Sequence, residues 1–330
     1  AESVYVNGQF VGNTTYCYPP RNYRIPTNLL HEGDNVVTIY LISNGGVPQF
    51  VPDKPYRIST ADGQHEVSLL GNWLYHVGSP MPSAPSSTFF CYKSTSLYNA
   101  MISPLRNLKF SGVVWYQGES NTGRPQPYAD LLRKMIGNWR TLWHAPRLPF
   151  CIVQLANHDG CQQTGHPKPL TPQLKPVNSG WAQLREAQRQ VALADPHAEL
   201  AVAIDLGEPV DIHPLRKKEV AERVADCMDR LVFGKKVALS PQPKQARCMG
   251  QQVIITFDQP LQSGAQNEFE VAGADRRFVN ATATSSGRDV TVESPIPAPC
   301  YVRYAWKDSP VASLRSENHL PSSPFEIKIE

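Results

Sequence analysis

The 330-residue chain has no C-x-x-C pair, no long apolar run and no block of like charge, and each absence removes a class of function. Without cysteines at ligand spacing there is neither a zinc ribbon nor a dithiol redox motif. The seven cysteines, Cys17, Cys91, Cys151, Cys161, Cys227, Cys248 and Cys300, are scattered, and their odd number leaves at least one thiol unpaired. Cys151 in an apolar run and Cys227 on a helix face read as small buried hydrophobes. No stretch approaches the roughly 18 apolar residues of a membrane span. The first residues carry no charged segment followed by an apolar one, a pattern that a chain with its signal peptide removed also shows. The formal net charge is +3 with no basic stripe, so nucleic acid is not an expected partner.

What the chain has in quantity is proline: its 30 prolines are about twice the usual roughly 5%. Together with few charge runs this points to β-connections and ordered loops and excludes an all-helical fold. The length is enough for two or three cores, and the hydrophobic period changes twice. From Val4 to about Leu70 short alternating runs flank the turn pair Asn7-Gly8, and a further strand follows in NVVTIYLI, so a small β-sandwich or jelly-roll is expected. The Pro- and Ser-rich tract Gly78–Thr88 has no period and reads as a linker or crossing. From about Leu97 to Phe233 strands alternate with helices. The strands are GVVWYQ, PFCIVQL and LAVAIDL; the helices are expected over Tyr128–Trp143, Trp181–Leu193 and Leu215–Leu231. On the first helix Tyr128, Leu131, Leu132, Met135, Ile136, Trp139, Leu142 and Trp143 form the apolar face. This alternation implies parallel pairing, hence an α/β sheet. Past Phe233 short β-runs return at sandwich-like intervals.

In an open α/β sheet, ligands bind beyond the carboxyl ends of the strands, and two polar segments fall there, QGESN and GEPVDIHP. In the second, Pro214 suits the first position of a helix, which places His213 near its N-cap. The positive end of the macrodipole disfavours imidazolium, so His213 is a candidate general base. Asp211 or Glu208 is the carboxylate that could hold the ring. The plainer reading is that His213 only caps or packs the helix start. In the first segment Gln117 is a candidate amide donor to an oxyanion, Gly118 lets a substrate approach the backbone, and Glu119 is a buried carboxylate organising the loop. The plainer reading there is a polar turn. Ser120 is a poor nucleophile candidate, because GESNT lacks the second glycine of G-x-S-x-G and a loop with two prolines separates it from the next helix.

Taken together, VVWYQGESN, YADLLRKMIGNWR, PFCIVQLAN, VDIHPLRKKEVAERVA and YVRYAWKDSPVASL resemble the sialate O-acetylesterase family of SGNH (GDSL-like) carbohydrate esterases. The resemblance covers nearly the whole chain. VYVNGQFVGNTTYCYPPRNYRIP is similar to the galactose-binding-like jelly-roll module inserted into that esterase domain. The implied fold is α/β, an SGNH-type parallel sheet with helices, flanked by an N-terminal jelly-roll and a C-terminal β-sandwich. The expected boundaries are 1–80 for the jelly-roll, 81–236 for the hydrolase domain and 237–330 for the sandwich.

The resemblance further implies a serine nucleophile, His213 as its base with Asp211 as the orienting carboxylate, and an oxyanion segment of Gln117, Gly118 and Glu119. Asp211 stands two residues before His213, whereas the wider superfamily places it three before, where this chain has Val210. No cofactor or metal is implied. The substrate would be an O-acetylated sialic acid or another acetylated glycan, and the location secreted, periplasmic or lysosomal. Family members carry the serine in a G-Q-S-N-type segment upstream of the jelly-roll, and this sequence has none. The expectation is therefore that the first strand and nucleophile come from an N-terminal fragment or small subunit, and that this chain alone is inactive. Two other readings compete. One is a glycosidase using Glu119 with Glu208 or Asp211. The other is a glycan-binding or assembly subunit, with Trp73, Tyr75, Tyr301 and Trp306 as candidate stacking residues.

Overall fold

The computed structural model describes residues 1–16, 19–43, 50, 54–82, 89–90, 93–158, 179–208 and 211–330. Cys17, Cys91, Cys161, Val210 and residues 83–88 of the Pro/Ser tract lie outside the described residues. The chain divides into two compact units, Ala1–Phe90 and Cys91–Glu330.

In the first unit β1 (Glu2–Val6) and β2 (Gln9–Thr14) form the expected antiparallel hairpin. Asn7 and Gly8 both have positive φ, 50° and 79°, as a type I′ turn requires, and such a turn matches the twist of the strands it joins. β3 (Val37–Leu41) pairs along the other side of β1. The Asn7 side chain links the turn to its surroundings, donating to Leu29 O at 2.7 Å and accepting from Val36 N at 2.8 Å. A separate hairpin joins β4 (Arg57–Ser59) to β5 (Glu66–Ser68). Among the described residues of this unit only Val6 is buried.

The second unit opens with the α/β part. β6 (Val113–Trp115), β7 (Phe150–Val153) and β8 (Ala198–Ala201) form a parallel sheet in the order β6-β7-β8. The connecting helices are α1 (Tyr128–Leu142) and α2 (Gly180–Ala194), and α3 (Lys217–Phe233) follows β8. All four residues of β7 are fully buried, the mark of a central parallel strand covered on both faces. Alternation sorts them: Phe150 and Ile152 join the core that includes Leu132, Ile136 and Leu184, while Cys151 and Val153 join the core with Val220 and Cys227. The two cysteines expected to pack as small hydrophobes do so. Ser179 caps α2 by accepting from Ala182 N at 2.9 Å, and α3 ends at Gly234 in the left-handed region.

Three expectations shift. Leu131 is 53% exposed, because α1 turns Leu132 and Ile136 inward and one residue of helix rotates the side chain by about 100°. The apolar run LAVAIDL keeps strand geometry only to Ala201, since Leu206 N turns back to donate to Ala203 O. Helix α3 starts at Lys217 rather than Leu215, and the Leu215 N–H is taken by the Glu208 carboxylate at 3.0 Å.

The C-terminal part is a single antiparallel sheet of seven strands. They are β9 (Pro243–Met249), β10 (Gln252–Phe257), β11 (Gly264–Ala272), β12 (Val279–Ser286), β13 (Asp289–Glu293), β14 (Tyr301–Tyr304) and β15 (Phe325–Lys328), in the order β15-β14-β11-β12-β13-β10-β9. The expected β-sandwich is therefore corrected: one sheet curls until its edges meet, with Glu330 N donating to Ala246 O at 2.9 Å and Cys248 N reaching Glu330 O at 3.5 Å. Phe257, Phe269, Tyr304 and Phe325 fill the interior, each within about 6 Å of another aromatic ring.

Candidate active site

The QGESN segment leaves the carboxyl end of β6 and the GEPVDIHP segment follows β8, so parallel pairing brings both to one edge of the same sheet. β7 lies between them, and two strand spacings amount to roughly 10 Å. The segment after β7, Gln154 to His158, fills the middle of that edge.

Gln117 is held on every side. Tyr128, at the start of α1, donates its hydroxyl to Gln117 O at 2.8 Å and lies 3.2 Å from Oε1. Trp115 Nε1 donates to the Tyr128 oxygen at 3.3 Å. Burial pushes the Tyr128 pKa up, hydrogen bonds from Trp115 and Gln188 oppose that, and the net rise keeps it a neutral donor. Gln117 Nε2 donates one hydrogen to Asn121 Oδ1 at 2.9 Å, fixing the amide plane and leaving a second N–H. The Gln117 carbonyl also accepts from Gln188 Nε2 of α2 at 3.0 Å. Because the peptide unit is planar and trans, two donors pinning that carbonyl turn the Gly118 N–H the opposite way.

Gly118 has φ +155°, and a Cβ there would sit 2.6 Å from Leu184 Cδ2 and 3.2 Å from Leu155 Cδ1. Its lack of a side chain thus serves packing between the loop and α2. Glu119 is half-buried rather than buried and opens a 3-10 turn, Glu119–Asn121; its carbonyl accepts from Thr122 Oγ1 at 2.8 Å. Ser120 is exposed in that turn.

On the far side, His213 is 48% exposed and lies three residues before Arg216, the N-cap of α3. The macrodipole falls off within the first turn, so the expected helix-end effect on His213 is weakened by this offset. Asp211 Oδ1 accepts from His213 N at 2.8 Å and lies 4.0 Å from Nδ1. It therefore holds the loop backbone, with the ring just beyond hydrogen-bond length. Glu208 bridges to Asp211 through the backbone.

No hydrogen bond among the described residues runs directly from the Gln117 cluster to His213; the middle loop connects them. Leu155 N donates to Gln188 Oε1 at 3.0 Å. Asn157 Oδ1 accepts from Gly207 N at 2.8 Å, and a Cβ on Gly207 would collide with Asn157 O at 2.1 Å. Tyr128, Gln188, Arg185 and Asn157 were not singled out from the sequence as site residues. A signal existed in α2, where Arg185 and Gln188 interrupt the apolar stripe of Leu184 and Val191 and are yet fully buried. Of the stacking candidates, Trp306 is buried at 5%, Tyr301 and Trp73 are half-buried, and Tyr75 is 91% exposed. Among the described residues no cluster of three His, Cys, Asp or Glu could hold a metal ion, and no helix is long and apolar enough to cross a membrane.

Residues 81–216, which include the α/β sheet and both polar segments, match the family described as carbohydrate esterase, sialic acid-specific acetylesterase. The fold and the two strand-end segments therefore lie within a match to relatives described as carbohydrate esterases. A carbohydrate acetylesterase of Xanthomonas citri is similar in structure, with a TM-score of 0.62 at 38% identity over 70% of this chain and 53% of that one. The sialate O-acetylesterases of Mus musculus and Homo sapiens are 28% and 27% identical over 71% and 70% of this chain. The chain is thus similar to the sialate O-acetylesterases and carries the sialic acid-specific acetylesterase match over residues 81–216. It spans about half the length of the curated relatives it matches, 47% of each.

Proposed function

We propose that this chain carries the base and part of the oxyanion site of a carbohydrate O-acetylesterase that removes acetyl groups from sialic acid or another acetylated glycan. The observation that carries the proposal is the Gln117 amide, locked by Tyr128 and Asn121 on the sheet edge that also bears His213. In this reading the parallel sheet is of SGNH type, residues 1–80 are a jelly-roll module, and the protein acts in a secreted, periplasmic or lysosomal setting. The names of the curated relatives support the substrate class.

The serine in this scheme is supplied by a segment or partner chain outside these 330 residues. Two observations favour that. Ser120 sits exposed in a short turn rather than on a strand-to-helix elbow. And β6 pairs only with β7 among the described residues, with Val114 half exposed; since Val113 N donates toward β7, the backbone groups of Val114 point away from β7 and can receive another strand.

The chemistry then follows from the groups present. His213 takes the proton as the serine oxygen attacks the acetyl carbonyl, and the second Gln117 N–H, with the Gly118 N–H, stabilises the oxyanion. Collapse breaks the ester bond, and His213 returns the proton to the departing sugar hydroxyl. Water, deprotonated by His213, then attacks the acyl-serine; release of acetate restores the serine and the neutral imidazole. No cofactor is needed for these steps.

Acetate release from an O-acetylated sialic acid tests the proposal. The isolated chain is expected to be inactive and to gain turnover when joined to a serine-bearing upstream segment. In that active form Gln117→Ala is expected to lose about 100- to 1000-fold in kcat, and His213→Ala comparably more. Strong turnover by the isolated chain that Ser120→Ala abolishes would overturn the assignment of the nucleophile.

A further inference from the structure

Helix α2 presents two fully buried polar side chains one turn apart, Arg185 and Gln188, toward the strand ends. Arg185 donates only to backbone carbonyls: Nε to Leu155 O at 2.9 Å, Nη1 to Lys307 O at 2.8 Å, and Nη2 to Ala156 O at 2.7 Å and Asp308 O at 2.8 Å. Burying a cation is costly unless its donors are satisfied, and burial lowers the Arg185 pKa, with the Asp308 charge opposing. Asp308 is itself tied down by Ser179 Oγ at 2.5 Å, and its carbonyl also accepts from His158 N. Gln188 uses both ends of its amide, accepting from Leu155 N and donating to Gln117 O at 3.0 Å each.

These bonds share one consequence. Gln188 couples the loop after β6 to the loop after β7, and Arg185 anchors the latter loop to Lys307 and Asp308 beyond β14. The loop after β7 in turn contacts Gly207, at the start of the segment leading to His213. From this geometry we infer that Arg185 and Gln188 are positioning residues of the esterase, fixing the Gln117 peptide relative to the His213 loop without touching substrate. A merely structural role would require only that the helix pack. The specific claim is that the Gln188 donor sets the orientation of the Gln117 peptide, on which the aim of the oxyanion amide depends. The inference rests on the proposed esterase reading for its catalytic arm, and has a second arm that does not.

The discriminating variant is Gln188→Glu. It keeps the oxygen that accepts from Leu155 N but sets a second oxygen against Gln117 O. When ionised it repels that carbonyl; when protonated it can donate as the amide does, and burial raises the pH at which a carboxyl protonates. In the active form of the protein, Gln188→Glu is expected to lose about 100-fold in kcat relative to wild type at pH 8 with KM within about twofold, and this deficit, measured against wild type at the same pH, is expected to shrink as the pH falls toward 5. Gln188→Leu should lose activity without pH-dependent recovery, and Arg185→Lys should lie between wild type and Gln188→Leu.

Hydrogen exchange on the full chain gives the arm independent of activity. Amides between Trp115 and Asn121 should exchange faster in Gln188→Glu at pH 8 than in wild type, after correction for intrinsic rates, and this difference should vanish at pH 5. Wild-type exchange at both pH values would overturn the positioning role, whatever the esterase assay shows. Altered exchange with a wild-type kcat and pH profile would overturn the catalytic consequence. Absence of turnover in any form, with the expected exchange pattern, would sink the esterase reading while leaving the positioning of Gln117 supported.

Discussion

Buried charges are accommodated in three different ways in the second unit. Arg185 is surrounded by carbonyls. Arg303 pairs with Glu270 and lies over the Phe278 ring, yet burial still raises the Glu270 pKa against the pull of Arg303. Asp205 is the opposite case. Burial alone would raise its pKa, but Arg223 at 2.6 Å and Arg315 at 3.1 Å outweigh it and hold the carboxyl below its usual range. A carboxylate depressed in the folded state stabilises the protein above its unfolded pKa of about 3.9, and that stability is lost as pH falls through the lower folded value. The wild-type chain should therefore show a steep loss of stability below about pH 4 to which Asp205 contributes. Asp205→Asn is expected to cost about 3 kcal/mol at neutral pH, because two guanidinium groups lose their partner, and to flatten that acid limb. Urea denaturation of both proteins between pH 3 and 7 measures it; parallel pH profiles would show that Asp205 is not a stabilising anion.

Among the elements, α1 separates what hydrophobic period can tell from what it cannot. Spacing located the helix to within a residue at its C-terminus, and placed Tyr128, Leu132 and Ile136 on the buried face. It could not exclude Leu131, since an eight-residue apolar set spans more of the circumference than one core can cover. Leu132→Ala is expected to cost about 2–5 kcal/mol, and Leu131→Ala, at a half-exposed position, less than about 1 kcal/mol. Equal losses in chemical denaturation would mean that the helix is rotated from the orientation described. The site was legible to the extent that strand ends are legible: both polar segments lie where parallel strands terminate. Gln188 escaped notice because an amide within an amphipathic helix looks like surface, and only the paired loops reveal that it faces inward. Tyr128 was legible as core, but not as the donor to Gln117. The C-terminal sheet was misread because period gives strands, not their pairing order; β15, the strand that brings the two edges together, comprises only Phe325–Lys328.

At the scale of the whole molecule, the two compact units differ in how they are held together. The second contains three cores, one within the curled sheet and one on each face of the parallel sheet. In the first, hairpin chemistry and side-chain hydrogen bonds around Asn7 shape the backbone, but Val6 alone among the described residues is buried. Hydrophobic burial dominates folding stability, and an isolated hairpin is at best marginal in water. Local opening of the first unit should therefore require much less free energy than global unfolding. Limited trypsin digestion of the folded chain is expected to cleave first at basic residues such as Arg24 and Arg57, leaving a resistant fragment that begins near residue 91. Proteolysis in this regime follows the equilibrium population of the open form, so the rate of first cleavage should be insensitive to Leu132→Ala, which acts on the second unit. If that substitution accelerated cleavage within residues 1–90, the first unit would draw its stability from the second, and the division into separately stabilised units would be wrong.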